Sequence, residues 1–168
     1  MKLVPPEFSR LLPVDRVPPG GCHEKIAAEP AECDALARRF GVPAVHALSA
    51  RLHATPWRGG GLMLDGNLEA DLDRVSVVSL EVFRETVTYP VLRYFLPPGM
   101  EGVDEEDDAD PIVAGHVDMG ETVAETLALE LDPYPKKPGE TFHGHDETED
   151  GPGGGTSPFE ALSKLRRK

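Results

Sequence analysis

Cysteine is scarce in this chain: 168 residues contain two, Cys22 and Cys33. Two sulfurs do not staple a chain of this size, and their spacing matches no zinc motif. They read as free structural thiols of a reducing compartment. Long apolar runs are also missing. None approaches the roughly 20 residues that a helix needs to cross a bilayer. The opening MKLVPPEFSR lacks the apolar centre of a secretory signal. Together these absences predict a cytoplasmic protein with no membrane role. Hydrophobic content, at 39%, is low for a compact domain, and 17 Gly with 17 Pro imply much loop. The length suits one domain with a core.

Basic residues are nearly absent from one stretch. Residues 101–150 hold 2 basic and 17 acidic side chains, against 11 and 12 in residues 1–100 and 4 and 1 in residues 151–168. The net charge of −13 is therefore a property of the C-terminal third. Such a chain is repelled by bare phosphate. Direct RNA contact is expected to be weak or indirect, through Lys164, Arg166, Arg167 and Lys168 at most. A basic protein is the expected partner. Oligomeric state is not legible here.

No catalytic set stands out. The G-x-S-x-G elbow is absent. Ser49 and Ser76 fall inside strand candidates, and His46, His53 and His116 lack a nucleophile in motif context. Gly59 to Gly61 precede a strand, whereas a dinucleotide loop follows one and opens a helix. The acidic run EGVDEEDDAD lacks the alternating ligands and central glycine of a calcium loop. The nearest thing to a metal cluster is His143-Gly-His145-Asp146-Glu147. Two histidines with nearby acids suit a divalent ion, but ordering that polar segment would cost entropy. The alternative function is accordingly a small metal-dependent hydrolase or metal-binding protein using this tail. The favoured expectation is a non-enzyme without metal or cofactor.

Periodicity predicts the elements. Short strands are expected near Phe8 to Pro13 and over residues 22–28. A helix opens at Glu29-Pro30, buries Cys33, Leu36, Ala37 and Phe40, and ends at Gly41. Residues 45–55 read as a strand, with Val45, Ala47, Ser49, Arg51 and His53 on one face. Residues 62–72 alternate cleanly, and keep phase through Gly66, so a continuous strand with a bend or bulge is favoured over a hairpin turn. Strands are expected over residues 75–83 and 86–96, with Pro90 at an edge or bulge. A mobile acidic loop spans 99–111, and a short strand spans 112–117. The fold class is α+β, an antiparallel sheet or partly open barrel with two main helices, forming a single domain over residues 1–142. Residues 143–168 read as a disordered tail in which SPFEALSKLRRK forms a short helix only when docked.

The richest segment is residues 118–142, DMGETVAETLALELDPYPKKPGETF. Asp118 and Glu121 have capping-box spacing, and Val123, Leu127 and Leu131 form one helical face. Pro133 stops the helix. Tyr134, Lys136 and Lys137 follow on a backbone stiffened by Pro133, Pro135 and Pro138. An aromatic and two lysines there make a low-entropy docking patch; a plain helix stop with solvated lysines fits equally well.

In order and spacing, two blocks resemble the YceD family, the large ribosomal RNA subunit accumulation proteins. One is Leu64 to Ala70 followed by Val77 to Glu81. The other is Asp118-Met-Gly-Glu121, Glu125, Leu127 and Asp132 to Pro138. SPFEALSKL is similar to one branch of the family. The resemblance implies a non-enzymatic factor supporting accumulation of large-subunit RNA, with a basic ribosomal protein or assembly factor as partner. No residue-level site carries over from the family; the expected partner-binding residues are Tyr134, Lys136 and Lys137 of the proline-set loop, with Asp118, Glu121 and Glu125 of the preceding helix. Many members carry a cysteine where this chain has Ser76, and some carry a pair there; the departure argues against zinc in this chain.

Overall fold

A computed structural model describes residues 5–100 and 108–142. The element order is β1 (Leu11–Pro13), β2 (Cys22–Ala27), α1 (Pro30–Phe40), β3 (Ala44–Trp57), β4 (Gly61–Val75), β5 (Val82–Leu96), β6 (Ala109–Pro111), β7 (His116–Asp118) and α2 (Met119–Glu130). Five strands form one sheet in the order β2-β3-β4-β5-β6, and β1 pairs with β7 in a small second sheet. All pairs are antiparallel except β5 with β6. The sheet is open, with β2 and β6 at its edges. The architecture is α+β.

Period-two alternation builds a one-sided sheet. Leu62, Leu64, Leu68, Ala70 and Leu72 of β4 and Leu48, Ala50, Leu52 and Ala54 of β3 are all buried. They join Leu36 of α1, Val123 and Leu127 of α2, and Phe8 in one core. Each fully buried leucine contributes roughly 1.5–3 kcal/mol. The facing residues Lys25, Arg51, Asn67 and Glu69 are exposed.

Several expectations are corrected. Val45 is buried with Leu48 and Ala50, not opposite them, because a bulge between Val45 and Ala47 moves it across the pleat. Gly66 carries no register shift: it pairs with Leu52 on one side and Val91 on the other. The expected strand over residues 75–83 does not exist. β4 runs on to Val75, residues 76–81 form a turn, and β5 begins at Val82. The expected strand over 112–117 is shortened and shifted to β7, and β6 falls inside the expected 99–111 loop, so Asp110 lies in a strand. Pro90 does fall on the open edge, since β6 covers only Tyr94 to Leu96.

Both helices start as their sequences suggest. In α1 the Glu29 and Glu32 side chains form a reciprocal capping box, and Gly41 ends the helix at φ 64°. In α2 the Asp118 carboxylate accepts from the Gly120 and Glu121 N–H groups. Glu121 does not complete a box; its carboxylate is taken by Arg39 at 2.8 Å.

Among the described residues the core cluster runs from Phe8 to Leu127. A chain ending at Phe142 is therefore expected to keep one cooperative melt, with Tm lowered by no more than about 3 °C. Loss of the transition in thermal circular dichroism would place residues 143–168 in the core.

Candidate partner-binding site

Fifteen-residue strands β4 and β5 meet at the turn of residues 76–81. The chain reverses through backbone bonds from Leu80 N–H to Ser76 C=O and from Ser76 N–H to Glu81 C=O, each 2.9 Å. The Ser76 hydroxyl, fully buried, accepts from the Val78 and Ser79 N–H groups at 3.1 and 3.3 Å. That local pattern offers the backbone an alternative to the strand ladder. It leaves Leu80 at φ 61°. A branched side chain at positive φ costs on the order of 1–2 kcal/mol.

A second loop is zipped onto this turn. Pro133 stops α2, and the Asp132 carboxylate accepts from the Tyr134 N–H at 2.8 Å, an Asx turn. The loop then folds back, with the Lys137 N–H donating to the Glu140 carboxylate at 3.1 Å. Four contacts join the loops: Val77 N–H to Pro135 C=O at 2.9 Å, the Ser76 hydroxyl to Glu140, Lys137 Nζ to Glu81, and the Arg74 guanidinium to Asp132 C=O. Hydroxyl donation from Ser76 and then Ser79 holds the Glu140 carboxyl below its ordinary range. Arg74 is buried and also bonds Glu85 at 3.0 Å.

This double loop displays an apolar patch: Leu80 is 78% exposed, Tyr134 69% and Val77 45%. Beside it opens a groove of about 540 Å³ between the end of α1 and the loop, lined by Phe40, Pro43, Val77, Leu131 and Pro135. The arrangement suits capture of an apolar or aromatic anchor on a rigid platform.

The six residues expected to bind a partner divide into two groups. Tyr134, Lys136 and Lys137 lie in the double loop, where Lys136 is exposed and Lys137 is committed to Glu81. Asp118, Glu121 and Glu125 lie on α2 and its cap, where all three are engaged internally. Asp118 accepts from the Ser9 hydroxyl at 2.5 Å and from the Arg10 N–H at 2.8 Å; Glu121 pairs with Arg39, and Glu125 with Arg93 at 2.9 Å. Lys164, Arg166, Arg167, Lys168, His143 and His145 lie outside the described residues. His46 pairs with Asp73 at 2.9 Å, His53 stacks on His23 with ring centroids 4.4 Å apart, and the His116 ring bonds Ala114 C=O at 2.7 Å.

Sequence reading gave Leu80, Val77, Glu140 and Arg74 no site role and placed Ser76 inside a strand. SVVSLE contains no Gly, Pro, Asn or Asp, so β propensity hides the turn. The one available signal was Ser76 three residues before Ser79, an ST-turn spacing that is weak alone. Among the described residues no group of three or more His, Cys, Asp or Glu is placed to hold a metal, and no helix is long and apolar enough to cross a membrane. Comparison with known proteins gives no relative to reason from: no family model, no curated protein and no solved structure matches this chain.

Proposed function

We propose that this chain is a cytoplasmic, non-enzymatic factor that supports accumulation of large-subunit ribosomal RNA by binding a basic ribosomal protein or assembly factor. The residue resemblance supplies the process. The observation that carries the binding mode is Leu80, held at φ 61° and yet 78% exposed beside Tyr134. A fold gains nothing from straining a leucine only to leave it in water, so the strain points to a contact made with something else. The acidic run of residues 101–110 speeds the encounter, because opposite charge raises association rates more than it tightens complexes. The aromatic and leucine anchors set the bound lifetime.

The test is a pull-down from a bacterial lysate with and without RNase, followed by binding kinetics on the recovered basic protein. Leu80→Gly separates function from stability. Glycine relieves the positive φ, so the variant should be as stable as the parent or more so. Its complex should nevertheless dissociate about tenfold faster, as should that of Tyr134→Ala, which is a loss of about 1.4 kcal/mol each. Unchanged dissociation in both would remove the patch from the interface. Loss of the partner on RNase treatment would remove the protein-binding reading itself.

A further inference from the structure

We propose that residues 157–168 of this chain dock in cis into a second groove, at the opposite end of α2. This groove has a volume of about 720 Å³. Its apolar lining includes Leu11, Phe95, Val113 and Val117. Leu11 and Val113 are 62% and 68% exposed, leaving an uncovered apolar strip. The rim is acidic. Glu7 and Glu121 share Arg39, and Asp110 and Glu125 share Arg93, so four carboxylates are balanced by two guanidiniums. Their remaining lone pairs stay open to further donors.

The 157–168 sequence is the chemical complement. Ser157 and Glu160 have capping-box spacing with Pro158 between them, and Phe159, Leu162 and Leu165 recur every third residue. Lys164, Arg166, Arg167 and Lys168 give that short segment four cations. An isolated helix of this length is marginal in water and needs a surface to form on. The tether permits it. Phe159 lies seventeen positions after Phe142, for an extended reach of about 56 Å and a random-coil span of roughly 23 Å. The 12 residues of α2, which lead from the groove towards the double loop, cover only about 18 Å. Tethering at that range supplies an effective concentration on the order of millimolar, enough for a weak docking site to fill. The docking does not depend on the partner proposed above.

Carbodiimide coupling of the full chain tests this, since it joins only a lysine amine and a carboxylate in contact. At dilutions where the chain is monomeric, Lys164 and Lys168 should couple to Glu7, Asp110, Glu121 or Glu125, as read by peptide mass spectrometry. The yield should fall at least fivefold in Leu11→Ser/Val113→Ser, whose side chains are exposed, and in Phe159→Ser/Leu162→Ser. Coupling of Lys137 to Glu81 should persist in every variant and reports an intact fold. Yields unaffected by either double substitution, or links confined to residues 101–108, would reduce the contact to diffuse charge attraction and overturn the proposal. Links found only in a coupled dimer would assign the groove to a second copy and overturn it equally.

Discussion

Gly66→Ala is expected to destabilise this protein more than any other single methyl addition. Gly66 sits midway along β4, paired on both sides, and an added Cβ would lie 2.1 Å from the Arg51 carbonyl oxygen and 2.9 Å from the Leu52 Cα. Both atoms are backbone of β3, so neither can swing aside. The φ of 155° adds strain of its own. β4 must part from β3 over several residues, at a cost of about 3–5 kcal/mol when overpacking and backbone strain are combined. For a chain of this length that corresponds to a fall in Tm of roughly 10 °C or more. Gly20→Ala is the control, because nothing lies within 4 Å of its added Cβ and its φ is not positive. If the two variants melt together, the close approach of β3 and β4 at Gly66 is wrong.

Arg74→Ala is expected to cost about 2–4 kcal/mol, and Arg84→Ala far less. Both arginines project from the β4–β5 ribbon and both meet a carboxylate, but their surroundings differ. Arg74 has a side chain only 7% exposed, bonds Glu85, and donates to the Asp132 carbonyl in the second loop. Glu85 is 31% exposed and can regain water, which keeps the cost below that of a fully buried pair. Arg84, 59% exposed, meets Asp71 in solvent, where screening and side-chain entropy absorb most of the gain. Arg74→Lys should recover little, since an ammonium lacks the planar fork that reaches two acceptors at once. Hydrogen exchange adds a local readout. In Arg74→Ala the Val77 N–H, bonded to Pro135, should lose protection selectively, because the loop that holds its acceptor comes loose. Equal melting of the two arginine variants, with Val77 still protected, would show that the double loop is held by its other contacts alone.

Much of this architecture was written in local pattern. The alternation from Leu62 to Leu72, the Glu29–Pro30 start and Gly41 stop of α1, and the Asp118 cap and Pro133 stop of α2 all act within a few residues of their own position, through pleat geometry, orphan N–H groups and forbidden backbone angles. Those elements stand where the sequence places them. What failed depended on partners far along the chain. The 76–81 turn looked like strand because its residues favour strand, and the pairing of Val75 with Val82 and the part-buried bond from Ser76 to Glu140, 64 residues away, add to the local Ser76 bonds that bend it. The bulge at Val45 answers to the register of β4, which β3 cannot encode alone. The same division runs through the candidate site. Tyr134 announced itself as an aromatic on a proline-set loop. Leu80 did not, because its exposure and strained φ belong to a turn that strand-favouring residues conceal. Glu121 and Glu125 looked wholly free, but Arg39 and Arg93 reach them and take up part of their charge. Local sequence determined which segments become helix or strand, since backbone sterics and capping act at short range. Tertiary structure decided which apolar and charged side chains remain unspent, since that depends on which distant groups arrive first to bury or neutralise them.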